Sequence, residues 1–187
     1  LRLRNGDNIT IIDGSGGIHT AQILDAHPKK CNVQILTSEH FLPTKPHLQI
    51  AIAPTKNIER LEWFIEKCVE IGISEITPIY CQKSERRNVN NERLEKVIVS
   101  AMKQSMQLYK PTLNSPLPIS KFLESKLSVL KYIAYCEGEN RQLLKKCYTS
   151  GNDVVIMIGP EGDFSKEEVK IALNNGFIAV SLGTSRL

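Results

Sequence analysis

The chain has 187 residues, 24 basic and 20 acidic side chains for a formal charge of +4, and 41% hydrophobic residues. That composition can bury a core and is too apolar for a disordered tail, and the length allows one domain of roughly 150 residues with room for a small second unit. No apolar run approaches the ~20 residues of a membrane-spanning helix, and Leu1-Arg2-Leu3-Arg4 leads into no apolar signal region, so an integral membrane protein is excluded, nothing points to secretion, and the start without Met reads as a trimmed N-terminus.

Residues 1 to about 45 read as short strands with tight turns. Asn8-Ile9-Thr10-Ile11-Ile12 runs into Asp13-Gly14-Ser15-Gly16-Gly17 and then residues 18–24, and residues 32–37 alternate again. Four strand-like pieces without a helical period point to a small β-barrel or part of one. The glycine cluster lies between two β-runs and not before a helix, which favours a hairpin turn over a phosphate loop. Pro43-Thr44-Lys45-Pro46 reads as a linker, so the expected domains are 1–45 and 46–187.

Beyond the linker, strands alternate with helices. Residues 48–53 form an apolar strand. Asn57 caps a helix whose apolar positions Ile58, Leu61, Phe64, Ile65, Cys68 and Val69 share one face, and Gly72 ends it. Residues 75–80 are a second strand. Asn91 starts a helix with Leu94, Val97, Ile98, Ala101, Met102 and Leu108 inward, stopping before Pro111. Residues 132–136 are a third strand, with a short helical piece over 141–147. Asp153-Val154-Val155-Ile156-Met157-Ile158 is the most buried-looking strand. Ser165 opens a helix with a capping box to Glu168, Gly176 ends it, and residues 177–182 are the fifth strand. Repeated β-α units imply a mainly parallel sheet covered by helices, an α/β fold.

Cys31, Cys68, Cys81, Cys136 and Cys147 are odd in number and form no CxxC pair. They read as reduced, structural thiols of a cytoplasmic protein. His19, His27, His40 and His47 show no ligand spacing with them, so no metal site is expected. The charge is concentrated. Residues 82–110 hold Lys83, Arg86, Arg87, Arg93, Lys96, Lys103 and Lys110 against Glu85, Glu92 and Glu95, which equals the whole excess of the chain. Such a cluster fits a polyanion partner; the other reading is a solvated helix face with its preceding loop.

Ligands in parallel sheets gather beyond the carboxyl ends of the strands. Three ends stand out: Cys136 followed by Glu137-Gly138-Glu139-Asn140, Ile158 followed by Gly159-Pro160-Glu161-Gly162-Asp163-Phe164-Ser165, and Leu182 followed by Gly183-Thr184-Ser185-Arg186. In the middle one, glycines permit close ligand approach, Pro160 stiffens the loop, and a helix follows. GxGxxG does not follow the first βα strand and GxxxxGK[ST] is missing from the chain, which excludes a standard dinucleotide fold and a P-loop NTPase. An ordinary βα turn is the plain alternative.

Ile158-Gly159-Pro160-Glu161-Gly162-Asp163-Phe164-Ser165-Lys166-Glu167-Glu168 strongly resembles the GPEGG-F-S-x-x-E signature of the RsmE-type 16S rRNA (uracil-N3)-methyltransferases, of the SPOUT class of trefoil-knotted enzymes. Ala53-Pro54-Thr55-Lys56, Glu66-Lys67-Cys68-Val69-Glu70-Ile71-Gly72, Ser84-Glu85-Arg86 and residues 101–105 agree in order and spacing. Leu182-Gly183 resembles the start of the family's LGxRILRxETA segment, and Leu1-Arg2-Leu3-Arg4 with Gly6-Asp7 the start of its PUA-like RNA-binding domain. The chain departs from the pattern at Asp163, where the family has a second glycine, at Gln107 and Ser185, where arginine is usual, and in stopping at Leu187. An initial strand before Leu1, and an Arg-x-Glu-Thr-Ala-like stretch with a last knot helix after Leu187, are expected.

The resemblance implies a mainly parallel sheet with a C-terminal trefoil knot behind a PUA-like β-barrel domain. It further implies a homodimer and a bound S-adenosyl-L-methionine. The cofactor pocket would be made by Cys136, Glu137 and Gly138, by Ile158, Gly159, Pro160, Glu161 and Gly162, and by Ser181, Leu182, Gly183 and Leu187. Glu161 would either accept from a ribose hydroxyl or orient the loop. The acceptor, N3 of a uridine in 16S rRNA of the small ribosomal subunit, carries a proton at neutral pH, so a base or a positive site is needed; no residue in the chain is a convincing base, and the catalytic residue stays unknown. Arg2, Arg4, Lys56, Lys83, Arg86 and Arg87 are candidates for RNA phosphates, and Gln104 and Ser105 either approach the target base or only cap helix packing. A specific uridine must be presented unpaired. The alternative is a catalytically silent RNA- or ribosome-binding protein that keeps the fold.

Overall fold

The structure, a computed structural model, describes residues 3–43, 46–125, 127, 129–136 and 141–183. Its first unit is a three-stranded antiparallel sheet of β1 (Asn8–Ile12), β2 (Gly17–Asp25) and β3 (Asn32–His40) in sequence order. The glycine cluster is the β1–β2 hairpin turn. Asp13 Oδ1 accepts from the amides of Ser15 and Gly17 at 2.8 and 2.9 Å, and two hydrogen bonds from backbone donors hold the Asp13 carboxyl down at about 2. Three strands, not four, are found among the described residues. The Gly6 stretch stays outside the ladder and exchanges hydrogen bonds with Ile23.

The second unit is wholly parallel. Its elements are β4 (Leu48–Ile52), α1 (Ile58–Ile71), β5 (Glu75–Tyr80), α2 (Asn91–Ser105), β6 (Thr112–Leu113), β7 (Leu117–Pro118), α3 (Ile119–Glu124), β8 (Leu130–Ala134), β9 (Gln142–Leu143), α4 (Leu144–Cys147), β10 (Val154–Ile158), α5 (Lys166–Asn174) and β11 (Ile178–Ser181). The strand order is β6-β5-β4-β10-β8-β11-β9, with β7 also on β5. β10 is central, in register with β4 and β8 along its whole length. One face buries Ala51, Ile79, Val155 and Met157 against Phe122, Leu123 and Ala172. The other buries Ile52 and Ile76 against Leu61, Ile65, Val69, Leu94 and Ile98.

The helix boundaries follow local chemistry. Asn57 Oδ1 accepts from Glu59 N at 3.0 Å and Gly72, at φ 99°, closes α1. The Ser165–Glu168 capping box is made in full. Three expectations are corrected. α2 ends at Ser105 because Met106 turns left-handed at φ 55°. Leu108 therefore leaves the helix and its carbonyl accepts from Gly16 N, while Lys110 N donates to Gly14 O, so this segment docks the hairpin turn of the first unit. The third strand runs over 130–134, not 132–136, because its partner β10 ends at Ile158, opposite Ala134. The piece expected as a helix over 141–147 divides into β9, paired to β11, and the short α4.

Candidate functional site

β8, β10 and β11 end side by side, and the turns beyond them enclose a cavity of about 170 Å³. Cys136, Ile158, Gly159, Pro160, Glu161, Ser181, Leu182 and Gly183 line it. Glu137, Gly138 and Leu187 lie outside the described residues. Ala134, Tyr135, Arg141, Asp163 and Val180 complete the wall. Ile158, Ala134, Val180 and Leu182 are apolar surfaces at strand ends, while Arg141, Glu161 and Asp163 bring charges of both signs. The sequence pattern does not single out Tyr135 or Arg141; Arg141 donates from Nη1 to Tyr135 O at 2.8 Å and so secures the β8 end.

The glycines of the β10 loop differ in what they face. A Cβ on Gly159 would lie 3.0 Å from the Phe164 ring, which is buried in the core. Gly159 is thus required for close packing directly beneath the cavity. Gly162 does not line the cavity: its Cβ would meet Lys83 Cβ at 3.3 Å, on the loop after β5.

Carboxylates knit the strand-end loops together. Glu161 Oε1 accepts from Lys56 N at 2.9 Å. Asp163 Oδ2 accepts from Cys136 N at 2.7 Å. The buried Glu168 accepts from Gln82 N at 2.7 Å and, through its other oxygen, from Ser165 N at 2.8 Å. Beneath them the Cys81 thiol is pushed up to about 12 by burial and, secondarily, by the Glu168 charge.

The basic candidates divide. Lys56, Lys83, Arg86 and Arg87 stand on the loops after β4 and β5, at the same sheet edge as the cavity. Arg86 donates from Nε to Thr55 O at 3.1 Å and from Nη2 to Lys56 O at 2.7 Å, so its guanidinium holds one loop against the other. Lys56 pairs with Glu85 at 2.9 Å, which raises its ammonium above the usual range. Lys83 reaches Phe164 O at 3.3 Å and the exposed Arg87 reaches Gln82 O at 3.1 Å. Arg93 of α2 pairs with Glu62 of α1, and Lys110, beyond the helix, pairs with Glu95 of α2 at 2.6 Å, so that part of the basic excess is paired on and beside the helix. Arg4 is exposed in the first unit, its amide bonded to Asp7; Arg2 lies outside the described residues.

Gln104 and Ser105 are not brought to the cavity. They end α2, which runs back from the carboxyl end of β5, so they lie at the amino ends of the strands. There Ser105 Oγ donates to Ala101 O at 2.7 Å and Gln104 is exposed. Among the described residues no group of three or more His, Cys, Asp or Glu can hold a metal ion, and no helix is long and apolar enough to cross a membrane.

Residues 43–187 match the family model of the RNA methyltransferase domain, and residues 1–36 that of the RNA methyltransferase PUA domain. The "Ribosomal RNA small subunit methyltransferase E" of Rickettsia conorii is 29% identical over 189 residues, covering 100% of this chain and 77% of that protein. Among solved structures, a "probable rRNA-methyltransferase" from Porphyromonas gingivalis is similar at 42% identity and a TM-score of 0.91, over 100% of this chain and 80% of that one. A ribosomal RNA small subunit methyltransferase E from Neisseria gonorrhoeae, bound to S-adenosyl methionine, is similar at 25% identity and a TM-score of 0.89, over 100% of this chain and 78% of that one. With its parallel sheet, its antiparallel N-terminal unit and its strand-end cavity, the chain belongs to the RNA methyltransferase family, in the group of the ribosomal RNA small subunit methyltransferases E.

Proposed function

We infer that this chain transfers the methyl group of S-adenosylmethionine to N3 of a uridine in 16S rRNA of the small ribosomal subunit. The observation that carries the reading is the cavity at the ends of β8, β10 and β11, formed on the same edge as a basic pair of loops. The residues present suit the cofactor. A flat adenine needs apolar walls and a few backbone partners, and Ile158, Val180 and Leu182 are such walls around the open backbone at Gly159 and Gly183. Arg141 suits the cofactor's carboxylate. When bound, it supplies a methyl group on a positively charged sulfur.

The protein's part is alignment, which in well-oriented reactants is worth roughly 7–11 kcal/mol of the barrier. Glu161, spent on Lys56 N, orients the loop, the role we favour over a ribose contact. Lys83 and Arg87, with Arg4 of the first unit, supply positive charge for phosphates, and an unpaired uridine is delivered between them and the cavity. Two further parts of the reading are cytoplasmic location and a homodimer. The test is direct: the protein is incubated with labelled S-adenosylmethionine and either 16S rRNA or small subunits, and nucleosides are identified by mass spectrometry. 3-Methyluridine at one position is the expected product; absence of labelled RNA from both substrates refutes the reading.

A further inference from the structure

The turn after β10 contains a residue whose backbone and side chain pull in opposite directions. Asp163 stands at φ 61°, in the left-handed region that glycine enters freely and Asp or Asn enters at a modest cost. Its amide closes the turn onto Pro160 O at 2.9 Å. From that position both carboxylate oxygens are used. Oδ1 accepts from Phe164 N at 2.8 Å, within its own loop. Oδ2 accepts from Cys136 N at 2.7 Å, on the loop that leaves β8. Cys136 lies two residues past Ala134, the last residue of β8 in register with β10, so its amide is outside the strand ladder. Both Asp163 and Cys136 line the cavity. Glycine would satisfy the backbone better and would lose both hydrogen bonds.

We propose that Asp163 is a positioning residue that clamps the β8 loop to the β10 loop and thereby sets the shape of the S-adenosylmethionine cavity. The proposal rests on the cofactor reading above. It is a role played at the cavity wall and not in the core: the residue's contacts join two loops, and the Phe164 ring beneath is already packed by Gly159. The clamp makes a prediction that a purely structural role does not. Asp163→Gly relieves the backbone and removes the bridge, so fold stability and cofactor affinity move apart.

The test compares wild type, Asp163→Gly and Asp163→Asn by thermal unfolding, by calorimetric titration with S-adenosylmethionine, and by hydrogen exchange of the unliganded proteins. Asp163→Gly is expected to melt only slightly lower than wild type, the relieved backbone offsetting part of the two lost hydrogen bonds, to bind S-adenosylmethionine at least tenfold more weakly, and to lose protection at the Cys136 amide. Asp163→Asn keeps one acceptor and a side chain tolerated at this φ, and is expected to fall between the two. Wild-type affinity together with wild-type exchange in Asp163→Gly overturns the proposal; if that variant fails to fold, unchanged exchange and affinity in Asp163→Asn do so. The exchange arm needs no cofactor. A wild-type protein that binds no S-adenosylmethionine therefore refutes the functional reading, while the exchange comparison still decides the clamp.

Discussion

Replacing Arg86 with Ala separates two roles that a basic residue near an RNA site can have. The guanidinium spans two backbone carbonyls, Thr55 O at 3.1 Å and Lys56 O at 2.7 Å. Hydrogen bonds from charged donors contribute about 1.5–3 kcal/mol each. The site is partly exposed, so the lower end applies, and losing two costs about 3 kcal/mol. For a protein of this size a change of 1 kcal/mol shifts Tm by about 2–4 °C, so Arg86→Ala is expected to melt about 6–12 °C lower. The same variant should barely alter the salt dependence of RNA binding, because the charge is engaged in holding loops. By contrast, Lys83→Ala and Arg87→Ala should each reduce the slope of log K against log salt by about 0.7, the single-strand value per phosphate contact, with little loss of Tm. The assays are differential scanning calorimetry and filter binding of rRNA fragments across a salt series. An Arg86→Ala protein with unchanged Tm and a slope reduced by about 0.7 would refute the loop-holding assignment.

The loop glycines should separate likewise: Gly159→Ala forces a methyl against the Phe164 ring and should cost about 1–3 kcal/mol by denaturant titration, whereas Gly162→Ala, facing the flexible Lys83 side chain, should cost less and leave cofactor affinity nearly unchanged. Maleimide labelling of the native protein should modify the exposed Cys31 and Cys136 and spare Cys81, which is buried and held up at about 12; saturating S-adenosylmethionine should protect Cys136, read by peptide mass spectrometry. The hairpin should loosen in acid. The Asp13 carboxyl is lowered from 3.8 to about 2, so its contribution is present above pH 4 and is lost as pH falls through 2; the protection of the Ser15 and Gly17 amides, relative to their intrinsic exchange rate at each pH, should fall over that window in wild type and be low throughout in Asp13→Ala.

What could be read from the sequence was what short-range chemistry decides. Asn57 and Gly72 bound α1, and Ser165 with Glu168 opens α5, because caps are contacts across three or four residues. The apolar run 154–158 reads as the most buried strand because both its edges and both its faces are covered. The rest depends on partners remote in sequence. β6, β7 and β9 are two residues each and exist only through β5 and β11. Gly159 and Gly162 look alike in the motif, and only the position of the Phe164 ring tells which one cannot carry a side chain. Arg86 reads as a phosphate ligand until the carbonyls of Thr55 and Lys56 are seen in front of it. The position of Gln104 and Ser105 was within reach: a helix that follows a parallel strand runs back, so its last turn lies at the amino ends, away from any strand-end site.

The carboxyl edge of a parallel sheet presents a recurring problem, since each strand ends in a loop whose first amides have lost their ladder partners. Here three acidic side chains of residues 161–168 answer it, each accepting from a different loop: Glu161 from Lys56, Asp163 from Cys136 and Glu168 from Gln82. Such bonds fix the loops without filling the space between them, which leaves a cavity open at Gly159 and Gly183. They also divide the charge. Glu161 and Asp163 stand on the β10 loop at the cavity wall, where the proposed reading places the sulfonium, while Lys83 and Arg87 stand on the loop after β5, where it places phosphates. On the proposed reading, a methyl donor and its RNA acceptor would meet neighbouring but distinct surfaces, with the carboxylates that bind the loops together beside the donor's place.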